Sequence, residues 1–123
     1  MSTTILVVED EAANRKLLST FLQKSGYTVE AVENASAALS YIDQTTPALV
    51  LLDIRLPGMD GLDLTRQLKN QPGTAHIPIV AVTARANPGD EALILNAGCD
   101  GYIAKPINFA VLTSYLQHYV PTQ

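Results

Sequence analysis

Cysteine is almost missing from this chain: Cys99 is the only one in 123 residues. That excludes an internal disulfide framework and a cysteine-based zinc site. It fits a reducing, cytosolic setting. Basic residues are also few. Eight Lys and Arg stand against twelve Asp and Glu, giving a formal net charge of −4. A surface that grips nucleic acid needs clustered Lys and Arg. Direct nucleic-acid binding is therefore not expected, and neither is a basic membrane-docking face. Long apolar runs are lacking as well. No stretch approaches the ~20 apolar residues of a membrane span. The opening "MSTTILVVEDE" has too short an apolar run, and no basic segment, for a secretory signal peptide. No repeat, low-complexity tract or linker interrupts the chain.

What is present is an apolar, well-patterned sequence. Hydrophobic residues make up 47% of it, too many for a disordered chain. Its length suits one domain with a core that needs no staples. Five strand-like runs recur: "TILVV" (4–8), "TVEAV" (28–32), "ALVLLD" (48–53), "PIVAVT" (78–83) and "GYIA" (101–104). The first, third and fourth are continuously apolar, as strands covered on both faces are. "TVEAV" alternates and reads as an edge strand.

Helical patterns lie between them. Leu17, Leu18, Phe21 and Leu22 form a stripe that stops near Gly26. Asn34 can cap a helix bearing Ala35, Ala38, Leu39 and Ile42. Leu64 and Leu68 mark a third helix. Asn87 and Pro88 read as the cap and first turn of a fourth, closed by Gly98. Asn108 can cap a fifth, with Val111, Leu112, Tyr115, Leu116 and Tyr119 on one face. Strands alternating with helices imply a doubly wound α/β domain with a parallel sheet. Sites in such sheets lie at the carboxyl ends of the strands.

Those ends are rich in chemistry. The first strand leads into Glu9, Asp10 and Glu11, the third ends on Asp53, the fourth on Thr83, and the fifth leads into Lys105 and Pro106. Any one of these acids alone reads equally well as a turn or cap residue. Their convergence on one rim does not. Carboxylates a few ångströms apart repel by on the order of 4 kcal/mol per pair at an effective dielectric of about 20. A shared proton or a cation must compensate. Oxygen ligands with room for water suit Mg²⁺, which also binds phosphate oxygens. Lys105 can neutralise a phosphoryl oxygen as a point charge, and Thr83 can donate to another. A carboxylate is a known nucleophile in covalent phosphoryl transfer, and such transfer depends on positioning and charge neutralisation. Asp53, ending the most central-looking strand, is the expected nucleophile.

The motifs "ILVVEDE", "LVLLDIRLPGMDG", "PIVAVTA" and "AGCDGYIAKP", in this order and spacing, span the chain. The whole sequence resembles a receiver domain of a two-component response regulator, of the single-domain chemotaxis-regulator kind. The resemblance implies a flavodoxin-like fold: a five-stranded parallel sheet in order 2-1-3-4-5 with five helices. It implies one receiver domain over 1–123, with its core at about 4–119. Asp53 would be the phospho-acceptor. Glu9, Asp10, Asp53 and the backbone carbonyl of Arg55 would hold Mg²⁺, with Mn²⁺ as an alternative ion. Thr83 would follow the phosphoryl group, and Tyr102 would turn inward when Thr83 moves. Lys105 would contact the phosphate, with a cis peptide to Pro106. Arg55 and Arg85 would border the phosphoryl group and tune its lifetime. The donor would be a sensor histidine kinase or a histidine phosphotransfer protein. Output would pass to a protein partner through the fourth helix, fifth strand and fifth helix, from a cytoplasmic monomer or weak dimer.

Two other functions share parts of this pattern. An aspartyl phosphohydrolase resembling the haloacid dehalogenase superfamily uses a D-x-D motif, whose second acid serves turnover. Arg55 stands in that position, so an acyl phosphate would decay slowly and serve as a signal, not a turnover step. A flavin-binding module of the same fold class needs a Gly/Ser/Thr-rich phosphate loop after the first strand. The chain has "EDEAAN" there instead.

Ala92 to Leu95 are four apolar residues in a row, so at least one is expected to face outward. Such a residue belongs either to a more buried helix or to a partner patch. His76 is expected at the end of the sheet opposite the site, His118 near a helix end, and Cys99 in the core. The chain stops just past the fifth helix, at "HYVPTQ". That reads either as a stand-alone regulator or as a receiver cut from a longer hybrid kinase or regulator.

Overall fold

Alternation along the sequence is realised as β1 (Thr4–Val8), α1 (Ala12–Lys24), β2 (Thr28–Val32), α2 (Ala35–Gln44), β3 (Leu49–Asp53), α3 (Gly61–Lys69), β4 (Ile79–Thr83), α4 (Pro88–Asn96), β5 (Gly101–Ala104) and α5 (Phe109–Tyr119). The computed structural model describes residues 3–56, 59–84 and 88–121. All neighbouring strands pair in parallel, in the order β2-β1-β3-β4-β5. β2 is the expected edge strand, and its Glu30 and Ala31 are exposed. Among the described residues no helix is long and apolar enough to cross a membrane.

The two-faced burial of the central strands explains their unbroken apolar runs. Side chains alternate across a strand. Leu6, Val8, Val50, Leu52, Ile79 and Ala81 join one buried cluster with Ala35, Ala38, Ile42, Leu64, Leu68 and Ile94. Ile5, Val7, Leu49, Leu51, Val80 and Val82 join the other, with Leu18, Leu22, Leu112 and Leu116. α2, α3 and α4 thus cover one face, and α1 and α5 the other. Each fully buried Leu, Ile or Val contributes ~1.5–3 kcal/mol relative to exposure, so the sheet is held from both sides.

The helix ends follow their sequence signals. Asn34 accepts from the Ala37 amide at 2.8 Å and Asn108 from the Ala110 amide at 2.9 Å. Gly26 and Gly98 adopt φ of 100° and 112°, the left-handed conformation that ends α1 and follows α4. Asn87 lies outside the described residues, while Pro88 opens α4. Two expected stripes are narrower than the pattern suggested. Leu17 is half-exposed, and Val111 also faces outward. In α5 the buried line is Leu112 and Leu116, with Tyr115 and Tyr119 at its margin. The strand starts also move by one residue. Ala48 and Pro78 precede β3 and β4, although the Ala48 amide still donates to the Thr4 carbonyl at 2.9 Å.

Candidate functional site

Sheet register alone brings the chemistry together. Val8 lies level with Leu52, so Glu9 follows β1 where Asp53 ends β3. Asp53 is level with Val82, which puts Thr83 one step further along β4. Thr83 is in turn level with Ala104, so Lys105 lies one step beyond it. Four residues from four strand ends therefore share one rim, although almost one hundred positions separate the first from the last.

Side chains complete the arrangement. Lys105 Nζ donates to Glu9 Oε1 at 2.8 Å and to Asp53 Oδ2 at 3.1 Å. The other Asp53 oxygen, Oδ1, accepts from the Arg55 amide at 3.0 Å. Glu9 and Asp53 are only 2% and 6% exposed, whereas Asp10 is open to solvent. Carboxylate oxygens of Glu9, Asp10 and Asp53 all lie within 4.8 Å of one another. Burial opposes the charge on Lys105, but its hydrogen bonds to Glu9 and Asp53, and their charges, outweigh that and raise its pKa above 10.5. The ammonium therefore stays charged at any working pH. Three carboxylates against one ammonium leave two formal negative charges around oxygen donors. That donor set fits a hard divalent cation such as Mg²⁺.

The remaining expected residues fall into two groups. Thr83 is fully buried, and its carbonyl accepts from the Lys105 amide at 2.8 Å. The Lys105–Pro106 peptide is cis. Tyr102 sits half-buried against the cluster beneath α4. Its backbone is clasped by Tyr115, whose hydroxyl accepts from the Tyr102 amide and donates to the Tyr102 carbonyl, both at 3.3 Å. The Glu91 carboxylate of α4, ahead of burial, holds the Tyr102 hydroxyl above its ordinary pKa. Arg55 borders the rim with an exposed side chain. Arg85, like Pro57 and Gly58, lies outside the described residues. His76 and His118 are exposed away from the rim, and Cys99 is buried.

Sequence reasoning missed two supports. Gly61 closes the "LVLLDIRLPGMDG" motif, and its φ is not positive, so backbone freedom is not what calls for glycine there. A Cβ there would lie 2.6 Å from the Asp53 carbonyl and 2.8 Å from Ile54 Cα. The glycine is needed so that α3 can start hard against the end of β3. Arg15 was also missed. It lies in α1 and donates through Nη1 to the carbonyls of Glu9 and Asp10, at 2.9 and 3.0 Å. Neither has a local sequence signal, because each acts on a residue brought close by the fold.

Residues 5–117 match the model of the response regulator receiver domain. The chain belongs to that family. The response regulator receiver fold accounts for its five-stranded order and for the position of its acidic rim. Among relatives, the polar-differentiation response regulator DivK of Brucella anthropi is 38% identical over 120 residues, covering 98% of both chains. The receiver domain of a sensor histidine kinase from Pseudomonas aeruginosa superposes with a TM-score of 0.89 at 34% identity, over 99% of this chain and all of that one. That structure holds a magnesium ion in its active-site cleft. The Vibrio cholerae chemotaxis protein CheY4 superposes at 0.90 with 25% identity, over 98% of this chain and all of that one. Receiver domains serve two-component signalling as phospho-acceptor switches. The aspartyl phosphohydrolase reading is not favoured.

Proposed function

We propose that Asp53 is the phospho-acceptor of this receiver and that the chain acts as a single switch domain. The observation that carries this reading is the Lys105 ammonium bridging buried Asp53 and Glu9 beside a third carboxylate. In the proposed step an Asp53 carboxylate oxygen attacks phosphorus. A P–O bond forms as the P–N bond to a phosphohistidine breaks, and the imidazole leaves with the electron pair. The donor is a histidine kinase or a histidine phosphotransfer protein. Lys105 then exchanges a carboxylate partner for a phosphoryl oxygen. The Thr83 hydroxyl donates to another, and Tyr102 fills the space Thr83 leaves. Glu9, Asp10, Asp53 and the Arg55 carbonyl would hold Mg²⁺ or Mn²⁺, which when bound neutralises charge on the phosphoryl oxygens.

Arg55 takes the position where a hydrolase keeps its second acid, so no side chain there activates water, and the acyl phosphate persists. Arg55 and Arg85 tune how long. The output surface is α4, β5 and α5, and its reading as a partner patch is supported by outward-facing Leu93 and Leu95, 48% and 45% exposed. The setting is cytoplasmic, and the partner is a protein met by a monomer or weak dimer. The test is intact mass after incubation with Mg²⁺ and a small acyl phosphate. One phosphoryl adduct is expected, lost in Asp53→Asn and without metal. Steady phosphate release with no adduct would instead support a hydrolase.

A further inference from the structure

We infer that Arg15 is a positioning residue for the acidic pair, holding Asp10 where it can take a divalent cation. The two acids are anchored differently. Glu9 is buried, its amide donates to the Val32 carbonyl at 3.0 Å, and its Oε2 accepts from the Glu11 amide at 3.2 Å. Asp10 is exposed and lies past the end of the β1 ladder. Among the described residues its one hydrogen bond runs from Arg15 to its carbonyl. The same Nη1 also donates to the Glu9 carbonyl, so one nitrogen clamps two successive peptide groups.

The helix makes this reach possible. Side chains on a helix lean toward its N-terminus, so Arg15, the fourth residue of α1, extends back over the strand end. α1 begins without a side-chain cap from Glu11. The clamp therefore adds to the Glu9 contact with the Glu11 amide in a β1–α1 turn that has no side-chain cap. Arg15 faces Glu33 at 4.0 Å, but that carboxylate is 67% exposed. Such a pair contributes little, so the carbonyl contacts are the ones that matter.

Charge and positioning predict opposite signs. Arg15 places a positive charge beside a cation site, so by charge alone its removal would tighten metal binding. By positioning, its removal weakens it. The experiment titrates Mn²⁺ into the full, unphosphorylated chain and reads free ion by electron paramagnetic resonance. Arg15→Met is expected to lower affinity about tenfold, the low end for losing an outer partner of a metal site. Arg15→Lys, one bond shorter but still a donor, should recover part of it, and Glu33→Gln should leave it unchanged. Equal or tighter binding by Arg15→Met would overturn the inference.

This affinity arm rests on the metal site proposed above, so amide exchange is followed without metal in the same variants. Faster exchange at Asp10 and Glu11 in Arg15→Met, with the β1 core amides still protected, is expected. Unchanged exchange there would overturn the clamp. If the unaltered protein takes up no Mn²⁺, the metal reading fails and the exchange arm alone decides on Arg15.

Discussion

Lys105 sits between two carboxylates that are themselves nearly sealed from solvent. Removing one partner of such a group leaves buried charge without compensation, which typically costs ~3–5 kcal/mol. Lys105 is partly open to solvent at 22%, so Lys105→Met should cost about 2–4 kcal/mol in urea unfolding. Mg²⁺ should restore part of this, because a cation can replace the lost ammonium. A variant as stable as the parent without metal would contradict the account. The sign of the pH effect is also defined. The Lys105 pKa is raised, so its contribution is complete below 10.5 and is lost only as pH climbs through the folded value.

Cys99 acts earlier on the alkaline side. Burial, ahead of its neighbours, lifts its thiol above 9.0. The folded state thus holds a proton that the unfolded chain releases, and stability falls as pH rises past 9.0. Melting temperature should decline between about pH 8 and about pH 10, where an ordinary thiol titrates. Cys99→Ala should flatten that decline. An identical slope in both proteins would remove Cys99 as the cause.

Helix starts and ends set where the site's loops run. α3 shows this most sharply. Asp60 accepts from the Leu62 amide at 2.9 Å to cap it, and the Gly61 amide donates to the Ile54 carbonyl at 3.0 Å, closing the turn directly behind Asp53. Gly61→Ala would press a methyl into backbone, which cannot swing aside as a side chain can. Overpacking of this kind costs ~1–3 kcal/mol. Because the crowded atoms belong to Asp53 and Ile54, phosphorylation by a small acyl phosphate should also slow. Normal kinetics in a destabilised Gly61→Ala would separate the two roles. At the far end of the sheet Lys69 performs a purely structural tie. Its ammonium donates to the Ile77 carbonyl at 2.7 Å and to Asp100 Oδ2 at 3.1 Å, and Asp100 Oδ2 also accepts from the Ile79 amide at 2.8 Å. That network joins α3 to the starts of β4 and β5, opposite the rim.

Across the molecule, the sheet divides labour between its two faces. α1 and α5 close one side, and α2, α3 and α4 the other. The proposed switch runs through the second side, because Thr83 and Tyr102 stand on β4 and β5 beside α4. Phosphorylation should then shift backbone amide resonances over α4, β5 and α5, while the outer face of α2 stays still. Equal shifts in α2 would argue for a global loosening and against a directed population shift. α4 suits that role. It buries Ile94 but leaves Leu93 and Leu95 in water, so it is held by fewer core side chains than the strands are.

Much of this was legible before any fold was known. Continuous apolar runs marked the inner strands, because a strand covered on both faces has no polar side to keep. Asn34, Asn108, Gly26 and Gly98 marked helix ends, because capping and left-handed backbone depend on the local residue. Even Asp53, Glu9, Asp10, Thr83 and Lys105 stood out by their position at strand ends. The outward turn of Leu17 and Val111 was not legible, since helical spacing specifies a face but not how wide a neighbour covers it. The need for glycine at position 61 depends on how closely α3 approaches β3. The clamp of Arg15 depends on where α1 lies over β1, and the reach of Lys105 to both Glu9 and Asp53 depends on parallel register across four strands. Local propensity and burial pattern are written into neighbouring residues. Contacts between distant ones exist only once packing has set the distances.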